Sequence, residues 1–118
     1  MKNNLILGDY GENKAVLFLK SLKYKILDTK YKTTLGELDI VCFDKKEKYY
    51  VFVEVKTRTT SAYGLPREAV DIHKQNKIRL VATEYAKIHK IFNKKMRFDV
   101  VEILDGNITH IKNAFWIY

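Results

Sequence analysis

Tyr49-Tyr50-Val51-Phe52-Val53-Glu54-Val55-Lys56-Thr57-Arg58 is the stretch that decides the fold. Its first half is aromatic and β-branched, the composition of a buried strand. A strand alternates its faces, so Tyr50, Phe52, Glu54 and Lys56 share one side. A carboxylate and an ammonium at the end of such a strand are costly to desolvate unless partners meet them. A second acid lies upstream in Gly36-Glu37-Leu38-Asp39-Ile40-Val41, which also reads as a strand.

Working outward, the polar run Asp44-Lys45-Lys46-Glu47-Lys48 joins the two strands as a hairpin loop. Upstream, Tyr24 to Lys32 reads as a strand with interleaved charges, turning through Thr33, Thr34 and Gly36. Before it, Asn3 to Lys23 reads as a helix, with Ala15, Phe18, Leu19 and Leu22 at helical spacing. Gly8, Gly11 and Glu12 fall on that same face, which suggests close approach to another backbone. Downstream, Thr59 to Pro66 is a loop. A helix from about Glu68 or Asp71 to His89 carries Ile78, Val81, Ala82 and Tyr85 as its apolar stripe. Met96 to Leu104 is a fourth strand. Asp105-Gly106 is a hairpin turn, and Asn107 to Lys112 pairs back as a short last strand. Ala114-Phe115-Trp116 should pack the tail onto the body. The order helix, three strands, helix, two strands predicts an α/β fold with one mixed sheet flanked by helices.

The acids suggest chemistry. Paired strands lie about 4.8 Å apart, and a register placing Asp39 beside Glu54 would let their carboxylates share a site. Two like charges ~4 Å apart repel by roughly 4 kcal/mol at an effective dielectric of 20. A cation removes that repulsion, and oxygen ligands suit a hard ion, Mg²⁺ or Mn²⁺. Such an ion polarises a phosphodiester and acidifies a bound water. Lys56 could orient that water or stabilise developing charge. The Val55 carbonyl is a further candidate ligand, and Glu12 a further acid. Each residue also has a plain structural alternative. Glu54 and Lys56 could be a cross-strand ion pair, Asp39 a strand-end residue, and Glu12 a solvated helix residue.

The chain has 118 residues, a hydrophobic fraction of 47% and a formal charge of +8, values that fit one globular domain with a polyanionic partner. Arg58, Lys74, Lys77 and Arg79 lie on segments bordering the acids and are candidate phosphate contacts. Tyr63 could stack on a base, and Gln75 could hydrogen-bond a phosphate or the attacking water. Lys45, Lys46, Lys48, Lys94 and Lys95 fall in loops and read as ordinary solvated charges. Cys42 reads as a small buried hydrophobe that forms no internal disulfide. His73, His89 and His110 are scattered, which argues against a histidine metal centre. There is no Gly-rich phosphate loop or strained serine elbow. With no secretory signal and no long apolar run, the chain reads as soluble, cytoplasmic and without a membrane partner.

Several motifs, in order, carry a resemblance: Gly8-x-x-Gly11-Glu12-x-x-Ala15, Gly36-Glu37-x-Asp39-Ile40-Val41, Val51-Phe52-Val53-Glu54-Val55-Lys56-Thr57-Arg58, Lys74-Gln75, Arg97-Phe98-Asp99-Val100-Val101 and Asn113-Ala114-Phe115. The chain resembles the YraN-like family of small bacterial proteins over nearly its whole length. That family is similar to archaeal Holliday-junction resolvases, within the restriction-endonuclease-like PD-(D/E)xK superfamily. The resemblance implies an αβββαβ core and a divalent-metal site. Asp39 matches the first motif acid, Glu54 and Lys56 the ExK pair, Glu12 the helical acid of resolvases, and Gln75 a position bordering the active site. No proline precedes Asp39, unlike the superfamily's namesake motif. The expected activity is cleavage of DNA, branched or otherwise structured, with non-catalytic nucleic-acid binding as the alternative. A homodimer is implied by analogy with resolvases alone.

Overall fold

The computed structural model describes residues 2–58 and 71–115, with side chains from residue 9 onward. Helix α1 (Lys2–Ser21) is followed by β1 (Tyr24–Thr33), β2 (Gly36–Asp44) and β3 (Tyr49–Arg58). Helix α2 (Ile72–Ile88), β4 (Met96–Leu104) and β5 (Asn107–Phe115) complete the order. The strands form one sheet in sequence order, β1-β2-β3-β4-β5. Only β3 and β4 are parallel, because α2 carries the chain back to the starting edge between them; the other neighbours are antiparallel. This is the mixed sheet with two helices expected of an αβββαβ core.

The alternation of β3 builds two cores at once. Val51 and Val53 face α1, where Ala15 and Leu19 pack with Ile40, Cys42, Val101 and Ile103. Phe52 faces α2, where Ile78, Val81, Ala82, Tyr85 and Ala86 pack with Val41, Phe98 and Val100. A strand buried on both faces loses the apolar–polar alternation, which explains why β3 reads as a continuous apolar run. The α2 stripe lies where its spacing predicts. Leu22 does not join the core: it falls beyond the end of α1 and is exposed.

Local chemistry sets the element ends. Asp71 caps α2 by accepting the Lys74 N–H at 2.9 Å. Asp105 (φ 49°) and Gly106 (φ 83°) make the left-handed turn that joins β4 to β5. β5 runs past the expected Lys112 to Phe115, whose ring stacks on Phe98 at 4.8 Å between centroids. The segment read as a packed tail is therefore strand as far as Phe115; Trp116 lies outside the described residues.

The Arg97-Phe98-Asp99 segment puts a buried ion cluster on the α1 side. Arg97 donates to Asp99 at 3.0 Å, to Asp44 and Glu47 at 3.2 Å each, and to the Tyr24 hydroxyl at 2.7 Å. Asp99, wholly buried, also contacts His110 at 2.8 Å and accepts the Asn113 N–H at 2.9 Å. Cys42 is buried, and its thiol is pushed up to about 12, chiefly by desolvation. Among the described residues no helix is long and apolar enough to cross a membrane.

Candidate functional site

The β2–β3 ladder runs from Asp44–Tyr49 to Ile40–Val53 and stops. The next opposed residues are Asp39 and Glu54. Where a main-chain bond would continue the ladder, the Asp39 carboxylate accepts the Val55 N–H at 2.8 Å. The two acids therefore sit side by side at the point where backbone pairing gives way to side-chain chemistry. Val55 enters this site through its amide, and its side chain packs toward α1.

Glu54 is 6% exposed, and Lys74 Nζ lies 3.0 Å from its Oε1. Burial, with the adjacent Asp39 charge, pushes the Glu54 carboxyl up to about 8. The protonated acid can then donate to Asp39 while accepting from Lys74. Lys56 follows Glu54 on the same strand face. Burial, then the neighbouring Lys74, holds its ammonium below the usual lysine range. For Lys74 itself, burial opposes the charge, but Glu54 and a hydrogen bond with Lys56 outweigh it and raise its pKa. The pair thus favours a charged Lys74 donating to a more readily deprotonated Lys56.

Glu12 reaches the site from α1. Its carboxyl is raised by partial burial and by the Asp39 charge, against the opposing pull of Lys30. The preceding Gly11 lets the helix come so close: a Cβ there would collide with the Thr57 hydroxyl on β3. The close approach suggested by the sequence is real at Gly11, against a side chain; the side-chain position at Gly8 is outside the described residues. Asp39 is thus the electrostatic link between Glu12 on one side and Glu54 on the other. Their all-oxygen donor set has the chemistry of a hard divalent ion. Among the described residues, however, no three acidic, histidine or cysteine side chains gather closely enough to hold an ion between them. The cation already on Glu54 is the Lys74 ammonium.

The remaining candidates divide. Gln75 is half-buried and accepts from Arg79 at 3.3 Å. Arg79 also donates to Asn76 at 2.9 Å and lies over the Phe115 ring. Lys77 is exposed near Gly36. Arg58 forms an ion pair with Glu102 at 3.3 Å. Tyr63 lies outside the described residues. Sequence reasoning gave Lys74 a role at phosphates and missed its contact with Glu54; its position three residues past the Asp71 cap was the available signal. It missed Glu102 entirely. That acid is buried in β4 opposite Lys56, and its Oε2 is the oxygen that meets Arg58 Nε at 3.3 Å. An acid among the apolar residues Val100, Val101 and Ile103 was its signature.

The family model described as "Uncharacterised protein family UPF0102" matches residues 11–103. A UPF0102 protein of Clostridium beijerinckii is 41% identical over 97% of this chain and 96% of its own length. One from Clostridioides difficile is 43% identical over 96% and 99% of the two chains. One from Persephonella marina is 40% identical over 93% of each.

Proposed function

This chain belongs to the UPF0102 family, and from that premise we propose that it is a divalent-metal-dependent nuclease hydrolysing DNA phosphodiester bonds, with branched or structured DNA as the expected substrate. The observation that carries this reading is the pairing of Asp39 with Glu54 where the β2–β3 ladder ends, with Lys56 on the same face of β3 and the Asp39 charge felt by Glu12 from α1. Asp39 and Glu54, with the Val55 carbonyl, are the residues to hold Mg²⁺ or Mn²⁺. A bound ion would polarise the phosphoryl oxygen and acidify a water.

The chain's own residues supply the rest. Lys56, its amine eased toward the neutral form, hydrogen-bonds the attacking water or receives its proton. A divalent cation held by Glu54 would compete with Lys74, which lies 3.0 Å from that carboxyl, and the ammonium would then be free to meet a phosphate oxygen. Glu12 adds negative charge beside Asp39. Gln75, Arg58, Lys77 and Arg79 border the substrate side. The net charge of +8 favours a polyanion.

The test is cleavage of labelled linear, flapped and four-way DNA with Mg²⁺ or Mn²⁺. Wild type should cut, and Asp39→Ala and Glu54→Ala should not. Wild type that cuts nothing, or variants that cut as well, end the proposal. One observation favours a second reading, a non-catalytic nucleic-acid-binding protein on the same fold. The Lys74 ammonium, 3.0 Å from Glu54, already occupies the acid without a metal. That reading predicts salt-sensitive binding without metal-dependent turnover.

A further inference from the structure

The loop lysines assemble at the other end of α2. The β2–β3 loop carries Lys48, and the connection from α2 to β4 carries Lys94 and Lys95. The two segments are tied together where Tyr50 N–H donates to the Lys95 carbonyl at 2.9 Å. Between them lies a hollow of about 400 Å³ lined by Phe43, Tyr50, Lys48, Asn93, Lys94 and Lys95. Phe43 and Tyr50 are half-buried, with ring centroids 4.9 Å apart. Glu47 is the only carboxylate of either loop that is exposed, and it is already held by Arg97 at 3.2 Å and Lys112 at 3.7 Å. Lys48 and Lys94 have no acidic partner among the described residues. Lys95 only covers the Tyr49 ring, at 4.9 Å.

We propose that this hollow is a second nucleic-acid site, which seats a base of a single strand against Tyr50 and Phe43 while Lys48, Lys94 and Lys95 hold the flanking phosphates. Uncompensated ammonium groups suit phosphates, which are point-charge partners. A concave pocket with an aromatic wall suits an unpaired base better than a duplex, whose bases are already stacked. Phe43 and Tyr50 lie on the α2 face that also carries Glu54. Tyr50 and Glu54 are four residues apart on β3, or roughly 13 Å at about 3.3 Å per residue. The hollow would thus hold a strand near the acidic cluster without taking part in hydrolysis. It rests on the proposed function only for the class of ligand.

The test measures binding of a fluorescein-labelled oligothymidine of about 12 nucleotides, a length within the range of single-strand sites. EDTA is present, so nothing depends on cleavage. The double variant Lys48→Glu/Lys94→Glu should bind at least about 10-fold more weakly, with the log K against log salt slope flatter by about 1.4. A control with equal charge change, Lys20→Glu/Lys32→Glu, should lose much less. All three proteins should share one unfolding midpoint, since the altered side chains are exposed. The same strand annealed to its complement should bind more weakly than the strand alone. Unchanged affinity in Lys48→Glu/Lys94→Glu, equal loss in the control, or equal affinity for the duplex overturns the proposal. Wild type that binds the strand here but cuts no DNA retires the nuclease and leaves this site. Wild type that cuts while the double variant binds normally does the reverse.

Discussion

Replacing Glu54 by glutamine should stabilise the metal-free protein, and more so at alkaline than at acid pH. Glutamine has the shape of the protonated acid, and its amide can donate to Asp39 while its carbonyl accepts from Lys74. In the wild type the Glu54 carboxyl moves from an ordinary value of 4.5 to about 8 on folding. The raised value means that the native state keeps a proton the unfolded chain has released. Stability is therefore fullest below the unfolded pKa and falls as pH rises toward the folded one. Each unit is worth about 1.4 kcal/mol, so the loss between about pH 5 and about pH 8 is about 3 kcal/mol. The neutral amide does not titrate. The advantage of Glu54→Gln should thus grow by about 3 kcal/mol across that window, a midpoint difference of about 10 °C for a domain of this size. Thermal and urea unfolding of both proteins in EDTA at the two pH values measures it. Other titrating groups are common to both and cancel in the comparison. A constant difference across the pH range, or a variant less stable than wild type near pH 8, refutes the strained burial of Glu54.

Three further outcomes follow from named contacts. Lys74→Ala removes the cation nearest Glu54, so Mn²⁺ should bind about tenfold tighter by calorimetry while cleavage slows; weaker Mn²⁺ binding would show that Lys74 does not compete for the site. Asp99→Asn weakens the charge balance of a buried arginine and disturbs contacts with His110 and the Asn113 amide. It should lower unfolding free energy by about 3 kcal/mol or more, measured in urea. Gly11→Ala drives a methyl group into the Thr57 hydroxyl and should cost about 1–3 kcal/mol, much of it recovered in a Thr57→Ala background. Strict additivity of those two changes would mean that the contact is absent.

Residue type and spacing determined much of this protein by themselves. The apolar run of β3, the α2 stripe and the Asp105-Gly106 turn are local signals, and each element formed where local physics put it. Local signals also carried the suspicion about Glu12, Asp39, Glu54 and Lys56, because a charge where an apolar residue is expected is visible in one dimension. Register is not visible in that way. Only the folded sheet set Asp39 opposite Glu54 and ended the ladder there, since pairing depends on how two strands and both helices pack together. Only the fold brought Lys74 onto Glu54, set Glu102 opposite Lys56, and joined Lys48 to Lys94 and Lys95 around two aromatic rings. Those pairs are far apart along the chain, and a lysine in a loop reads the same whether it faces water alone or lines a pocket with others. Charge and hydropathy are properties of a residue, whereas proximity is a property of the packed chain, and the chemistry proposed here depends on proximity.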